Sequence, residues 1–193
     1  MATEYLTNDT DLTAVADAIR AKMAAGQNAV DTEMAKLISR SISGVYSNPL
    51  VTSVENHAFA YCSRLTGVIL LNCTRVSNQA FDTCSALTTF DVPNTTVIGQ
   101  YGLRGAAVET LDFSAMERIL AYAFSGCTKL TTLILRKTDA LATLAAANCF
   151  NNTPIASGTG YIYVSNALVD QYKAADNWST FAAQIKPLSE LET

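Results

Sequence analysis

The run Ala58-Phe59-Ala60-Tyr61-Cys62-Ser63-Arg64-Leu65-Thr66-Gly67-Val68-Ile69-Leu70 decides the reading. It returns 22 residues later, without a gap, as Ala80-Phe81-Asp82-Thr83-Cys84-Ser85-Ala86-Leu87-Thr88-Thr89-Phe90-Asp91-Val92. A third copy, Leu103-x-x-Ala106-x-Val108-x-x-Leu111-x-Phe113, lacks both the Phe and the Cys and is one residue short. The fourth, Phe124-x-x-Cys127-x-x-Leu130-x-x-Leu133-x-Leu135, is clean. Each copy carries an upstream apolar anchor (Val54, Val76, Ile98, Ile119) and a small residue before the Phe or Leu (Ala58, Ala80, Gly102, Ala123). A fifth copy begins at Leu141 and Ala145 and places Cys149 in the cysteine column, before a last strand at Tyr161-Ile162-Tyr163-Val164.

An L-x-x-L-x-L core with a period between 20 and 29 is the leucine-rich-repeat signature. One such unit cannot bury its own apolar face, so copies stack. Leu65, Leu87, Val108 and Leu130 then form one buried column, and Leu70, Val92, Phe113 and Leu135 another. Parallel strands are expected near Val68–Leu70, Phe90–Val92, Leu111–Phe113 and Leu133–Leu135, about 4.8 Å apart. The fold class is α+β: a leucine-rich-repeat solenoid of period about 22, an N-terminal helical module and a short C-terminal helical cap. The division is 1–46 for the helical module, 47–164 for the solenoid and 165–193 for the cap.

The quoted runs, with Ala123-Phe124-Ser125-Gly126-Cys127-Thr128-Lys129-Leu130-Thr131, resemble the A-F-x-x-C-x-x-L-T consensus of BspA-like leucine-rich repeats over roughly Leu50 to Val164. That family occurs in bacterial surface proteins and prophage-encoded structural proteins, and the resemblance implies adhesive repeats. The opening Leu6–Lys22 is similar to segments of phage tail and minor structural proteins, and the closing stretches Ile162–Lys173, Asn177-Trp178-Ser179 and Ile185–Leu188 to the ends of prophage repeat proteins. Together these imply a virion component of the tail tip or fibre, made in the bacterial host cytoplasm, with other virion proteins and a bacterial surface glycan or protein as partners. The alternative is a bacterial BspA-like surface adhesin or protein-interaction module, and a capped spacer is a third reading.

Composition agrees with a folded, non-enzymatic protein. The 193 residues are 49% hydrophobic and 16% charged, with net charge −4 and mean hydropathy +0.18. Those figures exclude a disordered tail and an electrostatic nucleic-acid binder. No run is long and apolar enough for membrane insertion, and the acidic start Met1-Ala2-Thr3-Glu4 lacks the features of a signal peptide. Five cysteines, an odd number, point to free thiols. The column cysteines are read as core thiols, whereas Cys73 lies outside the column and is a candidate for exposure and reactivity. A single histidine, His57, leaves no His-pair metal motif, and no metal, cofactor or catalytic residue is expected.

The flanks read as helices. Leu12, Val15 and Ile19 fall at helical spacing behind cap-type residues, and Met34, Leu37, Ile38 and Ile42 make a second stripe, with Gly44 and Ser47-Asn48-Pro49 ending the module. These stripes suit attachment to a partner, or homo-oligomerisation, as well as covering the first repeat. At the other end Asn166 to Ala175 is a short amphipathic helix, followed by Trp178, Phe181 and Ile185.

Candidate binding residues follow from the repeat phase, because stacking turns each exposed position into a row. The strand face shows Thr66, Thr88, Glu109 and Thr131, then Gly67, Thr89, Thr110 and Thr132, then Ile69, Asp91, Asp112 and Ile134, with an acidic, hydroxyl-rich centre. A second row before the Ala-Phe pair is His57, Gln79, Tyr101 and Tyr122, whose rings suit contact with sugar or protein. Asp91 and Asp112 taken as paired glycosidase carboxylates fail on environment, since an open strand face buries neither enough to make it an acid catalyst.

Overall fold

The structure, a computed structural model, describes residues 42–191. The helices expected to carry Leu12, Val15, Ile19, Met34, Leu37 and Ile38 lie outside those residues.

Each repeat supplies a two-residue strand, a tight turn and a longer strand. The short strands β2 (Ser53–Val54), β4 (Arg75–Val76), β6 (Val97–Ile98), β8 (Arg118–Ile119) and β10 (Thr143–Leu144) pair in parallel as one sheet. The longer strands are β1 (Ser43–Ser47), β3 (Arg64–Ile69), β5 (Thr89–Asp91), β7 (Thr110–Phe113), β9 (Thr132–Leu135), β11 (Tyr161–Val164) and β12 (Ile185–Pro187). They also pair in parallel, with β-branched and aromatic residues at most positions that meet the core. Three of the four strands expected from the period appear within a residue of their expected limits, and the first, expected at Val68–Leu70, begins four residues earlier, at Arg64.

Alternation on the strands puts one face inside. In register, Val68 pairs with Phe90, and Leu111 with Leu133, Ile162 and Ile185 beyond it; all are buried. Leu65, Leu87, Val108 and Leu130 have no exposure, and neither do Leu70, Val92 and Phe113. A second column of rings begins with Phe59 stacked on Phe81 at 5.1 Å and continues through Leu103, Phe124 and Phe150.

The turn between the two strand types has a fixed shape. His57, Gln79, Tyr101 and Tyr122 all take φ between 55° and 62°, and four residues on Tyr61, Thr83, Gly105 and Gly126 take φ between 60° and 75°. Glycine meets that requirement freely. Tyr61 and Thr83 meet it at a cost of about 1–2 kcal/mol each. Backbone bonds from Phe81 N to Gly102 O and from Thr83 N to Arg104 O, both 2.7–2.8 Å, lock successive turns together. Side chains copy the pattern one repeat apart: Asn72 donates to Pro49 O, Asn94 to Leu71 O, Thr74 to Thr52 O and Thr96 to Thr74 O.

Several expectations are corrected. Gly44 and Ser47, read as the stop of the helical module, belong to β1, so the parallel sheet starts ahead of residue 47 and crosses the expected 46/47 division. The fifth repeat is longer than 22: Leu144, not Leu141, stands beside Ile119, and Phe150 stacks on Phe124. Three of its extra residues lie in the loop after β9 and one more between Leu144 and Phe150, so Cys149 falls in the small-residue column of Ala80, Gly102 and Ala123. Thr153 takes the cysteine place, its hydroxyl donating to Phe150 O at 2.7 Å.

After a one-turn helix α1 (Pro154–Ser157) and β11, helix α2 (Val169–Ala174) follows a short 3-10 turn. Tyr172, Trp178 and Phe181 then pack over the fifth repeat. Polar tips fix the packing: the Tyr172 hydroxyl accepts from Ala142 N, while Trp178 Nε1 donates to Ala142 O and Asn177 to Leu144 O.

A break on the strand face as candidate functional site

The longer strands do not make one sheet. They divide into β1-β3-β5 and β7-β9-β11-β12, with no ladder between β5 and β7. The cause is local: the third repeat is one residue short in Ala106-Ala107-Val108, immediately before β7, and Pro93 closes β5. Among the described residues no backbone hydrogen bond joins Thr88–Asp91 to Glu109–Asp112, and pairing resumes only where Ser114 N donates to Pro93 O at 2.9 Å. The uniform spacing expected from repeat to repeat is therefore interrupted here. The gap is a cleft of about 450 Å³ lined by Thr88, Thr89, Phe90, Asp91, Glu109, Thr110 and Asp112.

Four of the residues expected to bind, Thr89, Asp91, Thr110 and Asp112, thus meet in one cleft. Thr66 stands exposed on the same face, Ile69 is half-buried in register with Asp91, and Thr132 is half-buried beside Thr110. Ile134 is a correction: it is 5% exposed between the paired strands of Asp112 and Tyr163 and offers no surface to a partner. Tyr161 and Tyr163 extend the rows beyond it, Tyr161 at 41% exposure with Lys186 5.8 Å from its ring centroid. The strand Tyr161–Val164 was legible in the sequence, but its place in the rows was hidden by the longer fifth repeat.

The carboxylates differ in their partners. Asp112 is held by a fork from Arg136, with Nε 2.8 Å from Oδ1 and Nη2 2.7 Å from Oδ2. Asp91 and Glu109 are exposed and have no ionic partner among the described residues. Neither is buried, as an acid catalyst would have to be. Among the described residues no group of three or more His, Cys, Asp or Glu is placed to hold a metal ion.

The second row sits elsewhere on the repeat, at the first left-handed position of each turn, and contributes nothing to the cleft lining. The Tyr101 and Tyr122 rings stack on one another at 4.9 Å and 12°, and Arg104 lies 4.6 Å over Tyr101. Their mutual faces are thereby occupied, which leaves the outer faces and the ring edges for any contact. His57 is exposed and Gln79 half-buried.

The thiols are interior groups. All five cysteines are free and buried, including Cys73, which corrects the expectation that it is exposed. Cys84, Cys127 and Cys149 donate to the carbonyls of Phe59, Leu103 and Leu120. Burial pushes the Cys127 thiol up to about 12 and raises Cys73 and Cys149; Cys84 is raised first by its hydrogen bond with Cys62 and then by burial. A raised thiol stays protonated and is a poor nucleophile. Because all five are buried, Ellman's reagent at pH 8 should titrate none of the thiols of the folded protein within minutes and all five in guanidinium. Rapid release from the folded form would show an open or low-pKa cysteine.

Parallel strands in stacked units of about 22 residues, with an interior Phe–Cys turn, define a leucine-rich-repeat protein. The BspA-type leucine-rich repeat region, in six copies, matches residues 52–166, and the chain belongs to that family. A leucine-rich cell surface protein from Faecalibacterium prausnitzii A2-165 shares the fold, with a TM-score of 0.53 and 20% identity over 72% of this chain. A leucine-rich-repeat protein from Bacteroides ovatus ATCC 8483 is similar at a TM-score of 0.46 and 20% identity, over 76% of this chain and 40% of its own. This chain spans 35% of the length of the Faecalibacterium protein. No match is found among curated proteins.

Proposed function

We propose that the protein is a surface adhesin or protein-interaction module whose repeats form a solenoid and engage a partner through the strand face. The observation that carries this is the interrupted strand face itself, where exposed threonine and carboxylate groups converge on a cleft that the protein leaves unfilled. Repetition presents such groups in rows, a geometry suited to an extended partner. The cell-surface description of the Faecalibacterium relative supports a surface location. In this reading the segment from Asn166 onward caps the last repeat and the residues that precede β1 attach the module or pair it with a second copy. The tail-component expectation rests on the flanking segments alone, so adhesion is the reading taken. The function is binding rather than catalysis, since the open carboxylates lack the burial of a general acid.

The test is adhesion of the labelled full chain to bacterial and epithelial cells by flow cytometry. Thr66→Lys/Thr110→Lys, at exposed strand-face positions, should reduce binding at least tenfold, while Arg75→Glu/Arg118→Glu on the short-strand sheet should leave it within twofold. Equal binding by both variants, or no binding by the unmodified protein, would overturn the proposal.

A further inference from the structure

We infer that the cleft between β5 and β7 receives one long cationic side chain, a lysine or arginine presented by a partner polypeptide. This rests on the strand-face reading above and names the chemistry of its partner. The cleft, about 450 Å³, accommodates an extended side chain with some of its water. Thr88, Thr89 and Thr110 line it, and their methyl groups suit the aliphatic stem of such a side chain, while the Phe90 ring turns inward against Phe81.

Charge selects the head group. Asp112 is already answered by Arg136, but Asp91 and Glu109 are not answered by any described cation, and no basic residue lines the cleft. Ammonium and guanidinium groups are pure donors, and the hydroxyls and carboxylates around the cleft accept. A metal ion is a poor occupant, because the carboxylates do not converge as a ligand set. An anionic group would meet two unbalanced negative charges. A sugar lacks its stacking surface, since Phe90 is too enclosed to present a ring face. The overall charge of −4 favours approach of a basic partner.

The experiment titrates the full chain at 150 mM salt with the capped peptides Gly-Ser-Gly-X-Gly-Ser-Gly, X being Lys, Arg, Gln or Glu, and with an N-acetylglucosamine trisaccharide, following the amide resonances of Thr89 and Thr110. Saturable shifts are expected with the Lys and Arg peptides only. Asp91→Asn/Glu109→Gln should weaken them at least tenfold, whereas Asp170→Asn/Asp176→Asn, which removes the same charge at exposed positions of the C-terminal segment, should change them less than twofold. Equal loss in both variants would mean undirected electrostatics. Shifts with the Gln peptide or with the trisaccharide at the same amides, or no shifts at all, would also overturn the inference. Cell adhesion abolished by the Thr66/Thr110 variant alongside a failed peptide titration would sink this inference and leave the strand-face reading standing.

Discussion

Phe81→Ala should lower stability by about 3–5 kcal/mol, the range for removing a large ring from a core that cannot collapse around the space. Phe81 has no exposure, stacks on Phe59 at 5.1 Å and 7°, and meets the edge of Phe90 at 5.2 Å. It therefore joins the ring column to the strand that borders the cleft. Turns on either side are locked by backbone bonds, which limits relaxation. Guanidinium unfolding followed by circular dichroism measures the loss; an unchanged midpoint would place the side chain outside the core.

Arg104→Ala should cost about 2–4 kcal/mol. Asp82 is fully buried and receives both forks of Arg104, Nε at 2.8 Å and Nη2 at 2.6 Å, with the Thr83 hydroxyl 3.0 Å away. Removing one partner of a buried pair leaves an uncompensated charge, an effect of about 3–5 kcal/mol when both groups are enclosed. Arg104 keeps 40% of its surface in water, which lowers the figure. The penalty belongs to the stranded carboxylate, so Asp82→Ala/Arg104→Ala should recover part of the loss. A double variant no more stable than Arg104→Ala would refute that account. By contrast the Asp112–Arg136 pair, 41–42% exposed on both sides, should contribute under about 1 kcal/mol.

Periodicity carried most of the architecture. The columns through Leu65 and Leu70 and the strands around Phe90 and Leu133 follow from spacing alone, because a stacked repeat allows few placements for each residue. The errors arise where length changes. Counting 22 residues beyond the fourth copy puts Cys149 under Cys127, but the loop after β9 displaces the register, and only the ring of Phe150 marks the true position. The deletion before Val108 was visible as a short copy. Its consequence, a strand pair that fails to close, depends on three-dimensional spacing that one missing residue does not state. The Asp82–Arg104 pair was equally hidden: both fall at variable positions of the consensus, and burial of an acid at such a position cannot be read from its phase. Tyr101 and Tyr122 were legible as a row, but their stacking depends on the left-handed backbone beneath them.

The short third repeat acts on this molecule as a dislocation acts on a crystal. Each group of strands stays paired, and the mismatch of the short repeat is gathered into one plane between β5 and β7. On the opposite side the short strands run unbroken from β2 to β10, and Asp82 and Arg104 clasp the turns across that same plane. The arrangement is a book with an intact spine and one loosened page edge. A bending load along the stack would therefore meet least backbone resistance at that edge, where no ladder hydrogen bonds need to break.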